Sequence, residues 1–177
     1  MPNIVTVDSY KPQRKDRVKY AAVGQQPRDE EGRQNLPFVG PTGDLARDYL
    51  RGGGLNPDMM FLGHVYPHVL KRDEKPTSTE VKHGIERVKA ELVEFPNLKA
   101  VVLFGSFAAK MAFKLLGGIT RVHGSVGKLE LPDGRRIDCL AVVHPGYVQT
   151  QRTPRQKQQW DADVRTVMAR IRYLDNE

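Results

Sequence analysis

The sequence predicts an α/β protein, a three-layer α/β/α sandwich built around a central, mostly parallel four-stranded sheet. Two observations lead to this prediction. Short apolar runs, typical of buried strands, alternate along the chain with longer segments in which apolar residues recur at helical spacing. Such alternation implies right-handed crossovers between parallel strands, so helices are expected on both faces of the sheet.

The first half of the chain supplies two strands and two helices. Strand-like runs occur at 20–24 (YAAVG) and 59–65 (MMFLGHV). Between them, a polar loop leads to a helix that is expected to begin near Gly43 with Thr42 as its N-cap. A second helix should begin after Thr77, because apolar side chains then recur every 3.6 residues: Val81, Ile85, Val88 and Leu92.

The second half continues the alternation and ends in a helix. The run at 99–105 (KAVVLFG) is a third strand, and Ser106 is expected to cap the helix that follows it (FAAKMAFKLLGG). A Pro-Asp-Gly turn in GKLELPDGRRIDCLAVVH predicts a hairpin that leads into a last buried strand at 140–144. The final helix is expected at about 155–172.

Length and composition predict one domain. With 177 residues and 39% hydrophobic residues, we expect a basic N-terminal segment at 1–19 and a single domain at 20–177. Neither a membrane-spanning run nor a signal-peptide layout is visible, so a cytoplasmic protein is expected. We also expect it to be a monomer. The single cysteine, Cys139, cannot form an intrachain disulfide or by itself anchor a cysteine-ligated metal.

The charge is positive and unevenly distributed. Lys and Arg outnumber Asp and Glu by 28 to 21. Residues 10–19 carry five basic residues against one acidic residue, and residues 149–157 carry three against none. A solvated tail or loop explains either segment taken alone, but two separated positive segments favour a nucleic-acid backbone as the partner.

Four polar loops are expected to converge on one ligand. In open α/β sheets, ligands bind beyond the carboxyl ends of the strands, which is where these loops begin. The glycines that end two of the strand-like runs, Gly24 and Gly105, suit close approach of the backbone to a ligand, and the helix near Ser106 can offer amides to an anion. This pattern predicts a nucleotide-sized or nucleic-acid ligand.

The same loops resemble those of the uracil-DNA glycosylase superfamily, most closely its family four and the related covalent-trapping branch, over about residues 20–170. GQQPRDEEGRQNLPFVGPTG is similar to the family pattern G-E-x-P-G, an acidic stretch and P-F-V-G-x-A-G. GHVYPHVLKRDEKPTSTEV, LFGSFAAK and HPGYVQTQR follow in the family's order. The resemblance implies that the chain binds DNA, single- or double-stranded, extrudes a pyrimidine and hydrolyses its N-glycosidic bond in base excision repair.

The resemblance also implies which residues contact the base. Phe38 matches the phenylalanine that stacks on the pyrimidine, and His64 stands where the family has a base-reading asparagine. Gly24, Gln26 and Ser106 are the other positions expected to contact substrate.

For catalysis, the resemblance implies that His144 donates a hydrogen bond to the pyrimidine O2 as the bond breaks. Gln25 stands where the family has a water-positioning carboxylate. An amide can orient water but cannot accept its proton, so Asp29 is the first alternative, with Glu30 and Glu31 nearby.

Residues after the last strand are expected to contact DNA. Tyr147 and Val148 occupy the position of the family's apolar wedge, and Arg152 and Arg155 are expected to hold phosphates. The cysteines that ligate the family's iron–sulfur cluster are absent, and His68 occupies one of their positions, so no cofactor or metal is expected. The alternative interpretation, favoured by Gln25 and His64, is a protein of the same fold that binds DNA, a modified nucleotide or a protein partner without hydrolysis.

Overall fold

The computed structural model of the chain describes residues 3–176 and contains one five-stranded sheet. The strands are β1 (Tyr20–Gly24), β2 (Phe61–His64), β3 (Ala100–Phe104), β4 (Val126–Glu130) and β5 (Arg136–Val142). Their order across the sheet is β2-β1-β3-β5-β4, and all neighbours are parallel except the β4–β5 hairpin. The predicted α/β fold is confirmed, and the fifth strand is the first arm of the predicted hairpin, which pairs with the sheet.

Seven α-helices connect or flank the described strands. They are α1 (Asp29–Gln34), α2 (Gly40–Gly52), α3 (Ser78–Leu92), α4 (Ser106–Ala109), α5 (Ile119–Val122), α6 (Pro145–Gln149) and α7 (Pro154–Met168). Short 3-10 turns lie at Lys15–Arg17, Pro57–Met59 and Ile171–Asn176. None of the helices within residues 3–176 has the length and apolar character that crossing a membrane requires.

Two hydrophobic cores, one on each face of the sheet, account for the three layers. One core packs α2 and α7 against alternate strand residues such as Ala22, Val102 and Leu140. The other packs α3 and α4 against the intervening residues, such as Val101 and Cys139. This alternation is what a strand that is buried on both faces requires.

Most of the helices depart from the prediction: α5 and α6 were not predicted, and α7 ends at Met168 instead of near residue 172. The helix α1 lies where a polar loop was predicted. The helix α2 begins at Gly40 with Val39 as N-cap, because Pro41 is tolerated in a first turn and the Thr42 hydroxyl donates to Gln149 Oε1 instead of capping. The helix α4 ends at Ala109, and the chain beyond it turns so that the ring of Phe113 lies over Gly127.

The N-terminal segment packs on the sheet edge beyond β2. Isolated bridges join Thr6 to His68 and Tyr10 to Leu62, and Val7 is buried. Lys11 and Lys15 both form ion pairs with Glu94. Much of this segment is therefore held against the domain.

Candidate active site

A cavity of about 290 Å³ opens at the carboxyl ends of the parallel strands. Its walls come from the loops that follow β1 and β5 and from the last residues of β2 and β3, and they include Arg28, Glu31, Phe38, His64, Phe104 and His144. At ~30 Å³ per water molecule the cavity has room for about ten waters, which is more than a single pyrimidine base needs.

Phe38 occupies a strained turn between α1 and α2. Its φ is +58°, a left-handed conformation that costs a non-glycine residue about 1–2 kcal/mol. The Phe38 N–H donates to Glu31 Oε1 at 2.7 Å, and the Arg47 guanidinium donates to the Phe38 carbonyl. Gly43 leaves room for this peptide, since a Cβ there would lie 2.3 Å from the Phe38 carbonyl carbon. The rigid P-F-V-G loop thus holds one residue in an otherwise unfavourable conformation.

The Phe38 ring forms part of the cavity wall. It is only 4% exposed and lies edge-on to the rings of His64 and Phe104, with centroid separations of 5.3 and 6.1 Å. These rings give the cavity an aromatic lining that suits a flat heterocycle.

Glu31 connects this turn to the sheet. Its buried carboxylate accepts hydrogen bonds from the Arg28 and Phe38 backbone N–H groups, each at 2.7 Å, and from His64 Nε2 at 2.9 Å. Burial by itself would raise the pKa of Glu31, but the hydrogen bond and charge interaction with His64 and the two backbone donors outweigh it, so that pKa lies below its usual value. Glu31 is therefore ionised at neutral pH.

His64 ends β2 with both ring nitrogens buried. Because the Glu31 carboxylate can only accept, His64 Nε2 must carry the proton that they share. His64 Nδ1 makes no hydrogen bond to any residue that the structure describes. A Cβ at Gly24 would lie 2.9 Å from this nitrogen and 2.9 Å from the Phe38 ring. Gly24 therefore admits the two rings of the protein itself, whereas the sequence suggested that it admits a ligand.

His144 lines the cavity as the N-cap of α6. Its Nδ1 accepts from the Gly146 N–H at 3.1 Å, so the neutral ring carries its proton on Nε2. Burial lowers the pKa of His144 to about 4, and repulsion from Arg28 contributes to this shift. At neutral pH, His144 is thus a neutral imidazole. Its Nδ1 is used in capping, so its one N–H, at Nε2, remains free to donate, and the residue lines the cavity.

Three of the expected site residues lie differently from their predicted places. Gln25 does not line the cavity, because its Oε1 accepts from the Phe107 N–H at 3.2 Å and its side chain fills the space beside Gly105. Ser106 is half-buried outside the cavity, and the adjacent Phe107 amide is already occupied by Gln25. Asp29 is exposed on α1 and does not line the cavity, whereas Gln26 does.

The residues expected to contact DNA differ in their exposure to solvent. Val148 is 4% exposed and belongs to the core against α7, so it is not available as a wedge. Tyr147 is 37% exposed and packs edge-to-face on Trp160. Arg152 and Arg155 are exposed and form no ion pair with any residue among 3–176.

The two basic segments lie at opposite ends of the sheet. Residues 149–157 follow β5 and α6 at the cavity end, whereas Lys15–Arg17 precedes β1 at its amino end. A five-residue strand separates those ends by about 16 Å. Only the segment at 149–157 lies at the end of the sheet where the cavity opens.

Several contributors were not identified from the sequence. Arg28 and Arg47 were not singled out, and Glu31 was only one of three acidic alternatives. Arg28 was visible as an arginine where the family pattern G-E-x-P-G ends in glycine. The spacing of Glu31, three residues after Arg28, is a capping-box spacing, which signals a carboxylate turned back toward the helix start.

No group of His, Cys, Asp and Glu side chains within residues 3–176 is arranged to hold a metal ion. The cavity instead combines an aromatic lining, an ionised buried carboxylate and a neutral imidazole donor. A family model of the uracil DNA glycosylase superfamily matches residues 12–165. This match covers most of the chain and all of the cavity walls, and the chain therefore belongs to the uracil DNA glycosylase superfamily.

Proposed function

We propose that this protein is a DNA glycosylase that draws a pyrimidine, uracil or a modified base, out of DNA into the cavity and hydrolyses its N-glycosidic bond. The observation that carries the proposal is His144. It lines, as a neutral imidazole, a cavity with room for a base, and its capping bond through Nδ1 fixes Nε2 as the donor. A fixed neutral donor suits a carbonyl oxygen on which negative charge develops.

In the proposed reaction, the base stacks against Phe38 and its O2 accepts from His144 Nε2. The C1′–N1 bond breaks and its electron pair leaves with the base, while the sugar develops positive charge. The oxygen of a water molecule then adds to C1′ and loses a proton. Glu30 is the acidic residue of this loop that lines the cavity without being buried, so we place it as the first candidate to accept that proton.

DNA would lie across the cavity end of the sheet. Arg152 and Arg155 supply exposed charge there without competing ion pairs to described residues. The basic residues at 14–17 lie at the other end and would not contact the same stretch of backbone. In the double variant Arg152→Glu/Arg155→Glu, affinity for any DNA sequence should fall and the salt slope should decrease by about two.

The matched control for DNA binding is the double variant Arg14→Glu/Arg17→Glu, which changes net charge equally. It should alter binding much less at moderate salt. Equal losses of affinity in the two variants would mean that DNA affinity depends on net charge and not on the basic residues at the cavity end.

Hydrolysis is tested directly with labelled oligonucleotides, single- and double-stranded, that carry uracil, 5-hydroxymethyluracil or hypoxanthine. Abasic sites are scored by alkaline cleavage. Wild type should release a pyrimidine, and His144→Ala should slow release by about 10²-fold or more. His83→Ala, an exposed histidine on α3, is the control and should match wild type.

One observation favours a second function, binding of a base without cleavage. Gln25 replaces the family carboxylate and turns toward Phe107, and Glu31 is saturated by three donors. If no base is released by wild type while oligonucleotides that contain a modified pyrimidine bind more tightly than unmodified ones, this binding function replaces the hydrolytic one.

A further inference from the structure

Arg28 places a positively charged side chain on the cavity wall. Its exposed side chain lines the cavity and forms no hydrogen bond or ion pair with any residue between 3 and 176. One guanidinium nitrogen lies 3.3 Å from the place that a Cβ of Gly146 would occupy, next to the amide that donates to His144 Nδ1. Arg28 therefore lies beside the helix turn that His144 caps.

The acidic side chains of the cavity are engaged by other residues. Glu30 forms an ion pair with Arg33 at 3.0 Å and accepts from Gln34. Glu31 accepts two backbone N–H groups and the His64 ring. At His144 itself, the repulsion from Arg28 is larger than the attraction from Glu31. Of the charged side chains that line the cavity, Arg28 is thus the one that no described residue engages, which leaves it available to an anionic ligand.

We propose that Arg28 is a catalytic residue that, with His144, binds the departing base as an anion. This inference rests on the proposed glycosylase function. When the C1′–N1 bond breaks, its electron pair remains on the base, and the resulting negative charge spreads to the pyrimidine O2 beside the His144 N–H. Arg28 stabilises that charge, whereas a carboxylate in the position of Gln25 would have stabilised the sugar cation. The site thus stabilises the negative charge that develops on the base in the transition state.

Binding of free bases tests the proposal without requiring cleavage. The probes are 5-nitrouracil, which is an anion at neutral pH, and uracil, which is neutral. Wild type should bind 5-nitrouracil at least about tenfold more tightly than uracil, a size expected for a hydrogen bond to a charged group. Arg28→Gln should remove most of this preference, and Arg28→Lys should retain part of it.

Arg51→Gln is the matched control, because it removes one exposed arginine from the far end of α2 and should keep the preference of wild type. Equal binding of the two bases by wild type, or an unchanged preference in Arg28→Gln, would overturn the proposal. A clear anion preference without any base release would support the anion site and count against hydrolysis, so the two failures are distinguishable.

The rates of base release provide a second test, because a contact between Arg28 and a phosphate would not affect two leaving bases differently. In single turnover, Arg28→Gln should slow release of 5-hydroxymethyluracil more than release of 5-fluorouracil, because the poorer leaving group needs more stabilisation of its anion. Equal slowing of both bases, together with a changed salt dependence, would show that Arg28 holds a phosphate and would overturn the catalytic role.

Discussion

The two walls of the cavity differ in how their polar groups are used. On the wall formed by Glu31, Phe38 and His64, the polar groups bond mainly to one another, and His64 Nδ1 is buried without a partner. On the wall formed by Arg28 and His144, the guanidinium and the Nε2 proton have no hydrogen-bond partner among residues 3–176. The first wall determines the shape of the cavity, and the second keeps its donors available for a ligand.

This difference predicts where substitutions affect folding and where they affect chemistry. Changes in the wall of Glu31, Phe38 and His64 should mainly lower the free energy of unfolding. Changes in the wall of Arg28 and His144 should mainly lower binding and rate.

The largest stability loss is expected for Glu31→Gln. The amide cannot accept all three N–H donors, and loss of one partner from a buried charged pair typically costs about 3–5 kcal/mol. Glu30→Gln, one residue earlier, breaks only an exposed pair with Arg33 and should cost much less. Urea unfolding of the two variants measures the difference, and similar small losses would mean that Glu31 does not hold the wall together.

Gly43→Ala should disrupt the same wall through sterics. The new Cβ would lie 2.3 Å from the Phe38 carbonyl carbon, so the strained turn must move, at a cost of about 3 kcal/mol. Gly52→Ala in the same helix finds no atom closer than 3.7 Å and should be neutral or stabilising by up to about 1 kcal/mol. Thermal unfolding of both variants measures the two stability losses. A loss in Gly43→Ala alone would show that the clash with the Phe38 turn, and not the helix itself, is responsible.

The other wall should give a pH-dependent stability. The pKa of His144 is about 4 in the folded chain against 6.5 as its ordinary value, so the unfolded chain binds the proton first as pH falls. The contribution of His144 is complete above pH 6.5 and should fall by about 2 kcal/mol between pH 7 and pH 5. The lowered pKa of Glu31 adds a loss only at more acidic pH.

Urea unfolding at several pH values, compared between wild type and His144→Gln, isolates this contribution. The variant should lose less stability on acidification by about that amount. Parallel curves for the two proteins would show that His144 is not held neutral by the fold.

Hydrophobic alternation predicted the parallel strands of the sheet, and motif order predicted that Phe38 and His144 lie near the cavity, while their roles remain predictions. The sequence was not sufficient for Glu31 or Gln25. Asp29, Glu30 and Glu31 look equivalent in sequence, and only the rotation of α1 buries the third of them against His64. Gln25 matches a catalytic position, yet an amide can satisfy the Phe107 N–H, and the side chain turns to it.

The exposure of individual side chains could not be predicted either, because it depends on how each helix is rotated in the fold. Tyr147 and Val148 are adjacent, and helix α6 turns one toward solvent and the other into the core. The basic residues at 10–19 and 149–157 are similar in composition, but their distance from the cavity depends on which end of a strand each segment joins. Both outcomes depend on tertiary packing, which a local pattern does not encode.

The most direct test measures how the rate of base release depends on pH and on the presence of His144. Single-turnover release from the best pyrimidine substrate is measured from about pH 5 to about pH 8 in wild type and His144→Ala. A neutral donor predicts a rate with no acid-activated limb in this range and a loss of about 10²-fold or more in the variant. A wild-type rate that rises about tenfold per pH unit as the pH falls through the usual histidine range would identify an imidazolium donor and contradict the account, as would release that is unaffected by His144→Ala.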